Sequence, residues 1–203
     1  MTRGDRYPSF ASLAECASVG VDYRILVRKR HTPIAVVAPH GGGIEPGTSE
    51  LAEAIAGRTL SLYCFIGLKN ARNDVLHITS TRFDEPRSQQ LIASAEVVVA
   101  IHACGVKDSG IFVGGLHGEL KAAIIEALSG GGFNAVDDNT HHGGRDPRNI
   151  CNRGLAGGGV QLELSTGLRR RMFQGLSRKG RTTTTATFSE FTATMQKVLF
   201  RSL

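Results

Sequence analysis

The 203-residue sequence has no tryptophan, few other aromatic residues and no long apolar run. A transmembrane helix needs roughly 18–20 consecutive apolar residues, whereas apolar runs such as Val97–Ile101 have only the length of a strand. The charged N-terminus is not followed by an apolar stretch, so no secretory signal is predicted. We therefore expect a protein that is made in the cytoplasm and has no membrane partner. Action outside the cell would follow release by cell lysis.

The four cysteines include no Cys-x-x-Cys pair. In a chain of this length without a secretory signal, free thiols are expected rather than a disulfide framework. Hydrophobic residues make up 41% of the sequence and charged residues 21%, as in a globular protein with a real core. The length suits one domain, and we expect it to span residues 1–203.

Positive charge is in excess, with a formal net charge of +6 that is concentrated in Leu168–Arg181. Such an excess can indicate a nucleic acid, an anionic surface or an anionic substrate as partner. Phe173 is the one aromatic residue inside the run, so stacking on bases is poorly supported. We interpret the run as a solvated face and expect no nucleic-acid partner. A nucleic-acid-binding replication accessory protein is the alternative from another functional class.

Strand and helix signals alternate along most of the chain. We predict strands at Tyr23–Val27, Ile34–Ala38, Leu60–Phe65, Val97–Ile101, Ile111–Val113, Ala135–Val136 and Val160–Leu164, and helices at Thr48–Ala56, Glu85–Ala95, His117–Leu128 and Phe188–Arg201. The residue types at the ends of the first helix indicate Thr48 as its N-cap. This alternation predicts an α/β fold, with a mixed, mostly parallel sheet flanked by helices. In such sheets, binding sites gather beyond the carboxyl ends of the strands.

One predicted strand ends in a glycine-rich segment that carries His40 and Glu45. Gly42 and Gly47-Thr48 have the spacing of part of a phosphate-binding loop, but the lysine is absent and Glu45 would repel a phosphate. An imidazole and a carboxylate suit a divalent cation better. The residues alone leave a metal site and a polar loop network as the two interpretations.

A second apolar strand runs directly into His102. A single histidine in this position is usually a core residue whose ring is hydrogen-bonded to the backbone. Because another predicted strand end already carries His40, His102 could instead complete a set of two histidines and one glutamate, as in catalytic zinc sites. Cys104 is a rival ligand, although thiolates are more typical of closed structural sites.

The strand Val160–Leu164 alternates apolar residues with Gln161 and Glu163. One interpretation places these two polar residues on the solvated face of an edge strand. The other makes Glu163 a general base that takes a proton from water beside the metal.

Two further segments carry candidate substrate-binding residues. His77 is either a partner of the site or a packed residue at a strand end, and Arg82 follows it in the same segment. Arg153, beside Asn152 in a glycine-flanked loop, could bind a substrate carboxylate through its two-pronged guanidinium. Its alternative role is an ion pair that braces the loop.

The segment Ala38–Ala52, with the sequence APHGGGIEPGTSELA, resembles the signature of the poly-γ-glutamate hydrolase family, which is best known from bacteriophages of capsule-forming bacilli. The segments His77–Pro86, Ile101-His102, Asn149–Gly154 and Gly159–Leu164 follow in the expected order. The matches run from about Ile34 to Arg169. At Ala103 the family pattern has glycine, which affects the local turn more than the ligand.

The resemblance implies a fold like that of zinc carboxypeptidases, one Zn²⁺ ion and hydrolysis of γ-linked glutamate amides. It implies His40, Glu45 and His102 as zinc ligands and Glu163 as the catalytic residue. The expected partner is anionic poly-γ-glutamate, with His77, Arg82, Asn152 and Arg153 as substrate-binding residues. A zinc amidohydrolase acting on small N-acyl or γ-glutamyl substrates is the nearest alternative, and a metal-stabilised structural protein is another.

Overall fold

One mixed sheet forms the centre of the computed structural model, which describes residues 5–138 and 143–202. Its strands are β1 (Tyr23–Arg28), β2 (Ile34–Gly42), β3 (Ser61–Gly67), β4 (Val97–Cys104), β5 (Ile111–Gly114), β6 (Ala135–Asp137) and β7 (Val160–Ser165). They lie in the order β1-β3-β2-β4-β7-β5-β6. The four central strands β3, β2, β4 and β7 are parallel, whereas β1 and β5 run antiparallel to β3 and β7. The carboxyl ends of the central strands therefore share one edge of the sheet.

Helices cover both faces of the sheet and enclose two apolar cores. They are α1 (Phe10–Cys16), α2 (Thr48–Ala56), α3 (Pro86–Ile92), α4 (Gly118–Gly130), α5 (Thr166–Met172) and α6 (Ala186–Arg201). Helices α2, α4, α5 and α6 contribute to one core, and α1 and α3 to the other. Over the described residues, none of these helices has the length and apolarity to cross a bilayer. The predicted α/β fold, a mixed and mostly parallel sheet flanked by helices, is confirmed.

Helix α2 has the predicted bounds, but the predicted N-cap is wrong. The N-cap is Gly47, whose φ of 104° is a conformation that glycine adopts without a steric penalty. Thr48 is the first helical residue, and its hydroxyl donates to the carbonyl of Glu45 at 2.9 Å. Thr48 therefore closes the glycine-rich loop instead of capping the helix.

Two short helices, α1 and α5, were not predicted. Each has seven residues, about two turns, which is too short for an apolar period to stand out. In α5 the apolar period is weakened further because Gly167 and the three consecutive arginines Arg169, Arg170 and Arg171 make up more than half of the helix. Both helices have a serine N-cap, Ser9 and Ser165, whose side chain accepts a backbone hydrogen bond.

A bulge in β2 turns His40 toward the same side of the sheet as His102. Ala38, two residues before His40, faces the core under α2, and strict alternation would send His40 there as well. The pairing of β2 with β3 shifts between Ala38 and Gly41, which reverses the alternation. The ring centroids of His40 and His102 consequently lie 4.9 Å apart.

Strand β7 lies inside the sheet, between β4 and β5, so the edge-strand interpretation of Glu163 is wrong. Leu162 faces the core under α2, α4, α5 and α6, whereas Gln161 and Glu163 face the opposite side. Glu163 pairs in register with His102 on β4. The two polar strand ends therefore lie side by side.

Candidate metal centre

Donor atoms of His40, Glu45 and His102 converge at the carboxyl ends of β2 and β4. Nδ1 of His40 lies 3.0 Å from Oε1 of Glu45 and 3.1 Å from Nδ1 of His102. The His102 Nδ1 and Glu45 Oε2 atoms are 3.5 Å apart. Donors bonded tetrahedrally to one zinc ion at 2.0–2.1 Å would lie about 3.3 Å from one another. The two ring nitrogens and the Glu45 carboxylate are thus close enough together to bind one metal ion.

The other nitrogen of each ring is held by the loop that contains Ile78 and Ser80. Nε2 of His40 lies 2.8 Å from the Ile78 carbonyl, to which it can only donate. A neutral His40 therefore carries a lone pair, not a hydrogen, on Nδ1. Nε2 of His102 lies 3.2 Å from the Ser80 hydroxyl. The unprotonated Nδ1 of neutral His40 would face the Glu45 carboxylate with its lone pair, which is unfavourable unless a cation lies between them, so this geometry fits a divalent metal.

Electrostatics keep Glu45 in the anionic form that a metal binds. Burial favours the neutral acid, but when the neighbouring histidines are protonated, the charge of His40 and the contact with His102 outweigh it and hold the pKa of Glu45 well below its usual range. The backbone N–H of Ala103 also donates to Oε2 of Glu45 at 2.9 Å. Cys104 is a poorer donor, since burial raises the pKa of its thiol and a zinc ligand needs the thiolate.

Glu163 supplies a second carboxyl group, and its pKa is raised where that of Glu45 is lowered. Burial raises its pKa to about 8; His102 opposes this rise, and the carboxylate of Glu45 adds to it. Gln161 donates to Oε1 of Glu163 at 3.1 Å, and Asn149 in turn donates to Oε1 of Gln161 at 2.9 Å. A fixed carboxyl group with a pKa near neutrality can both accept and release a proton.

Comparison with known proteins identifies the family. The profile described as poly-gamma-glutamate hydrolase matches residues 7–194. The UPF0714 protein YndL of Bacillus subtilis (strain 168) is 42% identical over 184 residues, which are 89% of this chain and 73% of YndL. The chain belongs to the poly-gamma-glutamate hydrolase family. The resemblance predicted from its motifs is therefore confirmed, and with it membership of a family of hydrolases.

Solved structures agree with this assignment to the poly-gamma-glutamate hydrolase family. A bacteriophage poly-gamma-glutamate hydrolase matches with a TM-score of 0.95 at 35% identity, over 98% of both chains. An apo, zinc-free structure of YndL matches with a TM-score of 0.93 at 40% identity, again over 98% of both chains. The fold described above is thus shared with two experimentally determined relatives.

In this family member, His77 lies beside the three converging donors. Its ring centroid is 4.0 Å from that of His40, and ring nitrogens of both lie within 4.8 Å of a Glu45 oxygen and of each other. Nδ1 of His77 is 2.7 Å from Oδ1 of Asp5. His40, Glu45 and His77 are therefore also grouped closely enough to hold a metal ion, while Nδ1 of His102 lies closer to the donor atoms of His40 and Glu45.

Asp5 is a residue of the site that sequence reasoning missed. Its carboxylate accepts from the backbone N–H of Thr79 at 2.7 Å and forms an ion pair with Arg82 at 2.5 Å, besides its contact with His77. Its side chain is only 2% exposed. No signal in the sequence links Asp5 to a segment more than 70 residues away. Arg82 itself is exposed, so part of its guanidinium is open to a ligand.

The two remaining candidates brace the loops around the site. Arg153 donates to the carbonyls of Ser80 and Phe83 at 3.2 and 2.7 Å. The side chain of Asn152 makes four hydrogen bonds with backbone atoms, accepting from Leu116 and Gly159 and donating to Gly144 and Asp146. A substrate contact by Asn152 would cost bonds that hold the loop. The predicted substrate-binding roles of both residues stay predictions.

The basic run Leu168–Arg181 is only partly the solvated face that we predicted. Arg170, Arg171 and Arg178 are exposed, but Arg169 is 5% exposed and Arg181 8% exposed. Arg181 pairs with Glu50 at 2.7 Å. The interpretation was wrong for these two residues, because composition alone does not separate buried from exposed arginines within one run.

Proposed function

We propose that this protein is a zinc-dependent hydrolase that cleaves the γ-glutamyl amide bonds of poly-γ-glutamate. The convergence of His40 Nδ1, His102 Nδ1 and the Glu45 carboxylate is the observation that carries the proposal. The zinc-free form of the relative YndL supports zinc as the metal. Incubation with the polymer tests the activity, and shortening is followed by size exclusion. No shortening, together with turnover of a small N-acyl glutamate, would favour the small-substrate alternative.

In this mechanism Glu163 moves the proton. Zinc supplies Lewis acidity when bound, since it polarises the scissile carbonyl and makes water more acidic. Glu163 accepts a proton from the attacking water and then donates it to the leaving amide nitrogen. Gln161 fixes Oε1 of Glu163 for both steps. Nε2 of His40 donates to the Ile78 carbonyl and so keeps the metal-facing Nδ1 of neutral His40 free of a proton, and the Ser80 hydroxyl can accept from Nε2 of His102, which would leave its Nδ1 free as well.

The identity of the third ligand can be tested by the metal content of two variants. We expect His102→Ala to lose stoichiometric zinc, because it removes one of the three most closely spaced donors, and His77→Ala to retain it. Metal analysis of zinc-loaded, desalted protein measures this, with the exposed His31→Ala as the control. Loss of zinc from His77→Ala and its retention in His102→Ala would reverse the assignment.

A basic groove beside Glu45 supports a polymeric anion over a small amide. The groove encloses about 450 Å³, and its wall includes Gly43, Ile44 and Pro46, which flank Glu45. Its charged wall residues are Lys69, Arg72, Arg178, Arg181 and the acidic Asp74. Lys69 and Arg181 are paired with Asp22 and Glu50. Poly-γ-glutamate carries a free carboxylate on every unit, so units next to the scissile bond would be attracted to the exposed Arg72 and Arg178.

Reversing the charge of Arg72 should affect the polymer selectively. We expect Arg72→Glu to raise KM for poly-γ-glutamate by about tenfold at low salt, with a smaller effect at high salt because exposed charges are screened. KM for a small γ-glutamyl amide should change less than twofold. Arg58→Glu is the matched control, since exposed Arg58 precedes the amino end of β3, at the opposite edge of the sheet. Equal effects of the two variants would contradict a polymer-binding role of the groove.

A further inference from the structure

Arg169 is a buried arginine that contacts the backbone segments carrying the candidate metal centre. It lies in α5, one turn after β7, and its neighbours Arg170 and Arg171 are exposed. A fully buried arginine is unusual unless its charge is paired. None of the hydrogen bonds it makes within residues 5–138 and 143–202 goes to a carboxylate.

Its guanidinium instead joins three backbone carbonyls from three different segments. Nη1 donates to the carbonyl of Pro46 at 2.8 Å, Nη2 to that of Cys104 at 3.0 Å and Nε to that of Leu164 at 3.1 Å. Nη2 also donates to the hydroxyl of Thr166 at 3.0 Å. The fixed fork of N–H donors is what allows one side chain to bridge such widely separated acceptors.

Each of these carbonyls lies next to a residue of the site. Pro46 follows Glu45 directly, Leu164 follows Glu163 directly, and Cys104 comes two residues after His102. The three segments come from the β2–α2 loop, from β4 and from β7, and they are far apart in sequence. Arg169 is therefore one group that links the backbone of a candidate metal ligand, a second ligand and the proton-transfer residue.

The positive charge of Arg169 also acts on the carboxylates. Both Glu45 and Glu163 interact electrostatically with it, although neither is hydrogen-bonded to it. Two carboxyl groups at one site repel each other when both are ionised, and a nearby buried cation reduces that repulsion. Burying a guanidinium without a direct ion pair is costly, so a purely structural link would be made more cheaply by neutral groups.

We propose that Arg169 is a positioning residue of the active site, which sets the spacing of Glu45, His102 and Glu163 through the three carbonyls. The inference rests on the proposed zinc hydrolase function. If Arg169 has this role, the zinc ligands are already correctly spaced before zinc binds. Residues that orient metal ligands from outside typically contribute 10–100-fold to metal affinity or activity.

The test compares Arg169→Lys with Arg181→Lys. Both replace a buried arginine by a lysine that keeps the charge but lacks the fork. Within residues 5–138 and 143–202, the side chain of Arg181 donates only to Glu50 and Leu176. The measurements are the zinc Kd, by competition with a chromophoric chelator, the absorption spectrum of the cobalt-substituted protein, the thermal midpoint, and kcat and KM on poly-γ-glutamate.

For Arg169→Lys we expect a zinc Kd at least tenfold higher, an altered cobalt spectrum, and a fall in kcat that exceeds any change in KM. Arg181→Lys should lose thermal stability but keep zinc Kd and the cobalt spectrum. Zinc Kd and cobalt spectra within error of the wild type in both variants would overturn the inference while leaving the proposed function intact. A wild-type protein that binds no zinc would overturn both.

If Arg169→Lys does not fold, Thr166→Val gives a second test. It removes one acceptor of Nη2, together with the hydroxyl's own bond to the Cys104 carbonyl, while retaining the arginine. We expect a zinc Kd two- to fivefold higher at a thermal midpoint close to that of the wild type. An unchanged Kd in this variant would count against the positioning role.

Discussion

Replacing Glu163 by glutamine should lower kcat on poly-γ-glutamate by at least about 1,000-fold, within the 10²–10⁴ range of general acid–base catalysis. The amide has nearly the same shape as the carboxyl group, so the contact with Gln161 can be kept. It cannot accept a proton from water at neutral pH. Since Glu163 is not among the three converging donors, zinc content should stay stoichiometric.

Zinc analysis, KM and kcat measured on the same preparation separate this result from misfolding. Glu119→Gln is the matched control, because Glu119 is an exposed carboxylate on α4. A Glu163→Gln variant with wild-type kcat would contradict the proton-transfer role. If the wild-type protein itself proved inactive on all amides, the metal-stabilised structural alternative would be revived. Loss of zinc from Glu163→Gln would instead make Glu163 a ligand.

Part of the site could be predicted from the sequence because the parallel strands impose its geometry. Apolar runs ending in His40 and His102 identified two strand ends, and parallel neighbours bring such ends to one edge. The alternation around Glu163 gave its face correctly. What the pattern left open was whether β7 was an edge strand, since strand order depends on contacts between distant segments.

The missed features all depend on contacts that span the chain. Asp5 contacts a segment more than 70 residues away, and Arg169 joins carbonyls from three segments. Neither has a local periodic signal. The β2 bulge is a similar case: without the register shift between Ala38 and Gly41, the alternation would place His40 on the wrong face. The motif implied that His40 is a metal ligand, but only the register of β2 against β3 explains how its side chain reaches the site.

Removal of the metal should abolish hydrolysis, and removal of His40 should do the same. We expect chelation of the wild-type protein to lower kcat/KM by at least about 1,000-fold, since Lewis acid stabilisation is worth several kcal/mol and each 1.36 kcal/mol is tenfold in rate. Zinc should restore the activity. His40→Ala should be inactive with or without zinc, because it removes the donor common to both of the shortest contacts.

The midpoint of thermal unfolding, measured with and without chelator, shows whether the wild-type protein and the His40→Ala variant each hold a metal. A ligand that binds only the folded protein stabilises it, so chelation should lower the midpoint of the wild type. His40→Ala should start from a lower midpoint, since the Ile78 carbonyl loses its partner at a cost of about 1–3 kcal/mol, but chelation should lower it no further. His31→Ala, with an exposed ring, should respond to chelation as the wild type does. If wild-type protein kept its activity and its midpoint after complete removal of metal, hydrolysis would not depend on a metal, and the convergent donors would be a hydrogen-bonded cluster in which one histidine carries an extra proton.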